Sequence, residues 1–330
     1  MSAHIALPKI ETGKLPATLS TKMLTGVLRG ELGFGGVVFT DALNMRGISA
    51  HYPDGEAAVR AIKAGADVLL YPPSVEHAFL AVKTAVQSGE IKESRIEESV
   101  RRILSAKATL GLDKNRFSDL NKLDQLLGTS EHQRIARGII ESGITLVRDK
   151  RNVLPLKLAP EQKVLFITVV DNSEGWRDGL PGRAFLAGLA SRHARTTDVH
   201  VTEKTSPAEF ELIKKLAALS DVVIVNAFIR VAAFKGSVDL SEAEINLLGH
   251  LSAIEKPFVF VLYGSPYVIG FVPELPTYVL TYEYYPAAEE AALKAVLAEI
   301  EFKGKLPVEL PGLYKIGDSI LRARTASSTR

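Results

Sequence analysis

The sequence contains no cysteine, which excludes disulfides, thiolate nucleophiles and cysteine-ligated zinc or iron–sulfur centres. Charge of one sign is also lacking. Forty Lys plus Arg stand against 38 Asp plus Glu, a formal net of +2, and no basic cluster marks a surface for nucleic acid. No apolar run approaches the roughly 20 residues that span a bilayer. The seven histidines are scattered, none at HxxxH or HxH spacing, so metal binding has little support. GxSxG, P-loop and GxGxxG patterns are missing too, which removes the usual anchors of serine hydrolase, nucleotide-phosphate and dinucleotide chemistry.

What is present is an alternation of strand and helix along 330 residues, enough chain for about two domains. "AHIAL" (3–7), "GVVFT" (36–40) and "ADVLLY" (66–71) read as short strands, "GVVFT" fitting a buried parallel one. A helix is expected over "STKMLTGVLRGELG", with Met23, Leu24, Val27, Leu28 and Leu32 on one face, Ser20 as N-cap and Gly33 as stop. Further helices are expected in "GEAAVRAIKAG" and near 75–88 and 94–109, the last opened by a capping box from Ser94 to Glu97. Strands roughly 30 residues apart imply parallel pairing through right-handed crossovers, which a barrel or a doubly wound sheet would satisfy equally.

Residues 113–130 are polar and read as a linker, followed by a helix over 130–142. From residue 144 the alternation resumes with strands in "ITLVRD", "KVLFITVV", "DVVIVNAF", "PFVFVLYG" and "TYVLTY". Helical stretches lie between them near 182–191, 207–219, 240–254 and 286–300, a pattern that argues for an open αβα sandwich.

In parallel α/β architectures chemistry collects at the carboxyl ends of strands. Those positions offer His4 within the first strand, Asp41 directly after the second and Tyr71 at the end of the third. Asp41 follows "GVVFT" with no turn residue between, so its carboxylate should project from the strand tip; capping the next segment is an equally good reading from position alone. A lone histidine in an apolar strand is more often a hydrogen-bonded core residue than a catalyst.

Residues 1–48 resemble the nucleophile-bearing segment of glycoside hydrolase family 3 in "AHI", "PATLS", the "LR-ELGF-G-V" run and the Asp of "TDALNM". "AVRAIKAGADVLLYP" (58–72) is similar to the family's last barrel strand and the helix before it. "NVLPL" (152–156), "YGSPY" (263–267) and "KGKLPVELPGLYKIG" (303–317) are like its C-terminal domain. The resemblance implies a partial (β/α)8 TIM barrel, its last three or so βα units, over 1–112. A linker and connecting helix over 113–143 and an αβα sandwich over 144–330 would follow. It also implies that Asp41 is the nucleophile of a retaining mechanism, that His4 and Met45 border the sugar, and that no metal or organic cofactor is needed.

"TDALNM" is more similar to the β-N-acetylhexosaminidase branch than to β-glucosidases, in which an aromatic residue commonly stands where Ala42 does. The expected substrate is accordingly a GlcNAc-containing glycan; β-glucosidase or β-xylosidase specificity is the alternative, and a noncatalytic carbohydrate- or partner-binding fragment is a different class of role. No acid/base can be assigned: in one branch a His-Asp pair precedes the "AHI" strand, and in the other a Glu lies in the C-terminal domain. The comparable stretch here (228–248) lacks that motif, and Glu242 and Glu244 read as first-turn helix charges. An eight-stranded barrel takes about 250 residues, so the chain is expected to be the C-terminal portion of a longer glycosidase, with the missing barrel segment as a potential partner. Localisation cannot be read, because an export signal would lie upstream. Trp176 is a candidate sugar-stacking platform, with packing within its loop an equally good reading, and the Tyr282–Tyr285 cluster and "YGSPY" read as lining an interdomain cleft or, more often for aromatics at strand ends, packing the domain interface.

Overall fold

A computed structural model describes residues 1–11, 15–171, 173–176, 179–230 and 240–324. The chain divides into two compact units, Met1–Lys122 and Leu123–Arg330. The fold is α/β with a mixed sheet. Among the described residues no helix is long and apolar enough to cross a membrane.

In the first unit the three apolar segments run extended, but they do not form a continuous ladder. Phe39 and Val68 make one isolated parallel bridge, and Ser2 N donates to Phe39 O at 2.8 Å. The physical reason lies in two side chains that replace ladder acceptors. Val38 N donates to the Asp67 carboxylate at 2.9 Å and Leu70 N to Thr40 Oγ1 at 2.8 Å, so these amides are satisfied without a neighbouring carbonyl.

Behind the segments lie α1 (Arg46–Ser49), α2 (Asp54–Ala64), α3 (Val75–Gln87) and α4 (Glu93–Thr109). Ala57, Ala61 and Ala64 present a small-residue face that brings α2 close to Leu19, Leu24, Val38, Leu43 and Ile48, forming the unit's core. Two local expectations are corrected. The helix over Lys22–Glu31 is wound wide, with Leu32 N donating to Val27 O, five residues back. That winding breaks the 3.6-residue register and leaves Leu32 72% exposed instead of on the buried face. Helix α4 starts at Glu93 with Lys92 as its N-cap and no side-chain cap, so Ser94 lies inside the helix and forms no capping box.

The second unit carries α5 (Leu123–Leu126) and α6 (Ser130–Gly143), then a six-stranded sheet. Its strands are β1 (Thr145–Asp149), β2 (Val164–Val170), β3 (Thr196–Thr202), β4 (Val222–Ile229), β5 (Phe258–Gly264) and β6 (Thr277–Leu280). The order is β1-β6-β5-β4-β2-β3; every pair is parallel except β1 with β6. Strands β2, β4 and β5 are buried on both faces and therefore read as unbroken apolar runs. Helices α7 (Arg183–Arg192) and α10 (Pro286–Val296) cover one face through Phe185, Leu189, Ala292 and Val296. Helices α8 (Pro207–Leu219) and α9 (Glu242–Ala253) cover the other through Ile213, Ala217, Leu247 and Leu251. β3 was not expected from the sequence; as an edge strand it is mostly solvated, and "TTDVHVT" has too few apolar residues to announce itself.

Gly264 closes β5 with φ +113, and a Cβ there would lie 2.3 Å from Ile229 O on β4. Gly264→Ala is expected to destabilise the second unit by about 1–3 kcal/mol through this overlap, read as a lower urea midpoint at unchanged m-value.

Candidate functional site

The extended segments 36–40 and 66–71 deliver Asp41 and Tyr71 at their carboxyl ends. Thr40, fully buried, joins them: its amide donates to Val68 O at 3.0 Å and its hydroxyl accepts from Leu70 N. The loop after Asp41 is tied to the other segment, with Leu43 N donating to Leu70 O at 2.9 Å and Asn44 N to Tyr71 O at 3.0 Å. Tyr71 takes a positive φ of 43° and is 69% exposed.

Asp41 is half-buried. Its Oδ1 accepts from Ala42 N at 2.7 Å, and among the described residues no protein donor reaches Oδ2. One oxygen is thus oriented and the other is open. His4 and Met45 both connect to the same peptide. The Ala42 carbonyl faces His4 Nε2 at 2.9 Å and accepts from Met45 N at 3.1 Å.

A carbonyl only accepts, so His4 Nε2 carries a proton; in the neutral ring Nδ1 must then accept from the Thr18 hydroxyl, 3.0 Å away. Ser2 Oγ, 2.8 Å from Thr18 Oγ1, donates into that hydroxyl in turn. His4 therefore has both nitrogens engaged and braces the loop that carries Asp41. The Met45 side chain is 48% exposed.

At the other end of these segments stands a group that the sequence reading passed over. Asp67 has a fully buried side chain and lies among Arg29, Arg95 and Arg102, whose nearest contacts are 2.7, 3.4 and 3.0 Å. Ser99 Oγ donates to it at 2.7 Å and Val38 N at 2.9 Å. Burial alone would raise this carboxyl, but the Ser99 hydroxyl, the Val38 amide and the Arg29 and Arg102 charges outweigh it and hold the group below the usual carboxylate range. Half of the signal was legible, since an acid inside an apolar strand demands partners; that these are Arg95, Ser99 and Arg102, a polar stripe on one face of α4, follows only from the fold. The hub fixes the starts of the two segments, and Asp41 emerges at their ends.

In the second unit, Ser241 caps α9 and closes a capping box with Glu244, so Glu242 and Glu244 occupy the first turn. Of the 228–248 stretch, residues 231–239 lie outside the described residues. Trp176 packs edge-on against Phe228 and Tyr284 at 6.0 and 5.4 Å, while the Tyr282 hydroxyl bonds Thr145 Oγ1 at 3.0 Å. Tyr263 of "YGSPY" is fully buried, and its hydroxyl accepts from Asn226 Nδ2 at 3.1 Å.

Residues 1–106 match the family model described as glycosyl hydrolase family 3 N terminal domain. A β-N-acetylglucosaminidase/β-glucosidase from Cellulomonas fimi is 28% identical over 94% of this chain and 57% of its own length. A lysosomal β-glucosidase from Dictyostelium discoideum is 29% identical over 92% of this chain and 41% of its own. The solved family 3 β-N-acetylglucosaminidase from Paenibacillus sp. str. FPU-7 superposes with a TM-score of 0.79 at 31% identity, over 93% of this chain and 57% of that one. The chain thus spans about half the length of the curated relatives it matches.

Proposed function

The chain belongs to glycoside hydrolase family 3, and on that premise we propose that it carries the nucleophile half of a retaining β-glycosidase, with Asp41 as the attacking carboxylate. The observation that carries this reading is the placement of Asp41 at the carboxyl ends of two side-by-side extended segments, Oδ1 held by the Ala42 amide and Oδ2 open. In this reading residues 1–112 are the last three or so βα units of a TIM barrel, 113–143 connect, and 144–330 form the sandwich domain.

The chemistry runs in two displacements. An Asp41 oxygen attacks the anomeric carbon as the bond to the leaving oxygen breaks, and a general acid protonates that oxygen. Water, deprotonated by the same group acting as base, then cleaves the glycosyl ester and regenerates Asp41. His4 serves as a positioning residue through the Ala42 carbonyl, and Met45 borders the sugar. We assign no acid/base among these 330 residues. The preferred substrate is a terminal β-linked N-acetylglucosamine, on the similarity of "TDALNM" to the β-N-acetylhexosaminidase branch. The names of the relatives support both this and the glucosidase alternative.

A 2,4-dinitrophenyl β-N-acetylglucosaminide tests the first displacement alone, since its leaving group departs without a general acid. The expected result is one equivalent of dinitrophenolate per chain and a sugar adduct on the peptide containing Asp41, with negligible steady turnover of the 4-nitrophenyl analogue. Adduct on another residue, or none, would overturn Asp41 as nucleophile. Steady 4-nitrophenyl turnover that disappears in Asp41→Ala would instead place the acid/base within this chain.

A further inference from the structure

Tyr71 ends the extended segment 66–71 in a conformation that its residue type disfavours. Its φ is +43°, in the left-handed region where a Cβ crowds the backbone and glycine or asparagine is the usual occupant. Pro72 follows, and a residue before proline is pushed towards extended backbone. No side-chain contact offsets that cost. The side chain is 69% exposed, and among the described residues its hydroxyl has no hydrogen-bond partner and its ring no aromatic or cation–π partner.

Unbroken extended backbone would have buried this ring. Alternate side chains of an extended segment share a face. Leu69 packs against the clusters that Ala57 and Ala61 of α2 and Ala85 of α3 help to form, so strict alternation would send Tyr71 the same way. The left-handed residue breaks the alternation, and the ring stands in solvent. A strained backbone thus keeps a large aromatic surface out of the core, and outliers of this kind concentrate at functional sites.

The backbone places Tyr71 beside Asp41. The Phe39–Val68 bridge sets Asp41 level with Leu70, so Tyr71 lies one residue, roughly 3.3 Å, farther out. Its carbonyl accepts from Asn44 N at 3.0 Å, in the loop that Asp41 opens. In a retaining displacement the leaving group points away from the attacking carboxylate. An exposed ring beyond the level of Asp41 is placed to meet that side of the substrate.

We propose that Tyr71 is a specificity-determining residue, its ring a stacking platform for a pyranose on the leaving-group side. A β-linked oligosaccharide is then a better ligand than a simple glycoside, because a second sugar brings a flat C–H face to the ring. The proposal rests on Asp41 as the attacking carboxylate and adds the class of leaving group.

The test titrates the full chain with N,N′-diacetylchitobiose and with methyl β-N-acetylglucosaminide, followed by calorimetry and by the Tyr71 ring signals, identified as those missing from Tyr71→Asn. Cellobiose and methyl β-glucoside form a second pair, so the outcome does not hang on the sugar preference. In the pair that the site accepts, the disaccharide is expected to shift the ring signals and to bind about tenfold more tightly than its methyl glycoside, the scale of one stacked aromatic contact. Tyr71→Asn should remove that advantage and leave the methyl glycoside's affinity as it was. Its urea midpoint should equal or exceed the parent's, because asparagine tolerates left-handed backbone. Tyr71→Phe, which keeps the ring, should retain the advantage.

No disaccharide advantage in either pair overturns the proposal, as does an absence of binding, an unmoved ring signal or an advantage that survives Tyr71→Asn. An equal loss for disaccharide and methyl glycoside in that variant also overturns it, since the ring would then hold the attacked sugar. A lowered urea midpoint with binding unaffected would make Tyr71 a packing residue. The disaccharide advantage needs no turnover and should persist in Asp41→Ala, whereas the nucleophile assignment is decided by where the sugar adduct forms, so the two can fail separately.

Discussion

Asp67→Asn is expected to destabilise the first unit by about 3–5 kcal/mol, the loss typical of removing one partner from a buried ion pair. The substitution keeps the shape of the side chain and deletes only its charge. Three guanidiniums, Arg29, Arg95 and Arg102, would then face one another around a neutral amide. The Val38 amide and Ser99 hydroxyl would lose a charged acceptor as well. Denaturation followed by a probe in Met1–Lys122 should show the shift, with the second unit unaffected. A loss below about 1 kcal/mol, the level of an exposed pair, would show that the hub is not a stabilising element.

The pH dependence has a definite sign. Because the Asp67 carboxyl is held below its ordinary value in the fold, its contribution is present above the unfolded-state pKa of about 3.9 and is lost as pH falls through the depressed native value. The parent should therefore lose stability in acid more steeply than Asp67→Asn. Equal slopes would contradict the depressed pKa.

Asp41→Ala is expected to slow the first displacement by about 10⁴-fold, a loss on the scale seen when a single member of a catalytic group is removed. Stability should change by no more than about 1 kcal/mol, since among the described residues the carboxylate makes one hydrogen bond, to the adjacent amide. Azide separates the roles by stereochemistry. In the parent it attacks the glycosyl ester after one inversion and yields a β-glycosyl azide. In Asp41→Ala it can attack only the intact β-glycoside, and the product is the α-azide. A β-azide from Asp41→Ala would mean that another residue forms the ester.

Much of this was legible in the sequence because the signals were local. The apolar runs of β2, β4 and β5 announce strands buried on both faces, and Asp41 is visible because it follows "GVVFT" without a turn. Elements defined by distant partners were hidden. β3 is stabilised along its length by β2, which a polar heptapeptide cannot reveal. Asp67 draws its partners from positions 29, 38, 95, 99 and 102, so its charge could be noticed but its neighbourhood could not be placed. The Ser94 box failed because a matching tetrapeptide does not fix where the preceding residue first turns helical.

The two outer strands also bear on self-association. An unpaired, flat, apolar strand edge is a template for adding another chain. At β1 that template is occupied from within: Leu146 O accepts from Ile320 N and Ile144 O from Gly304 N. At β3 the edge is open but guarded by Asp198 and His200, both solvated. One border of the sheet is sealed by the chain's own C-terminal segment, and the other charges a desolvation penalty to any strand that would extend it. Even with its core strands among the most apolar stretches of the sequence, the second unit presents, among its described residues, no dry edge from which a cross-β stack could grow.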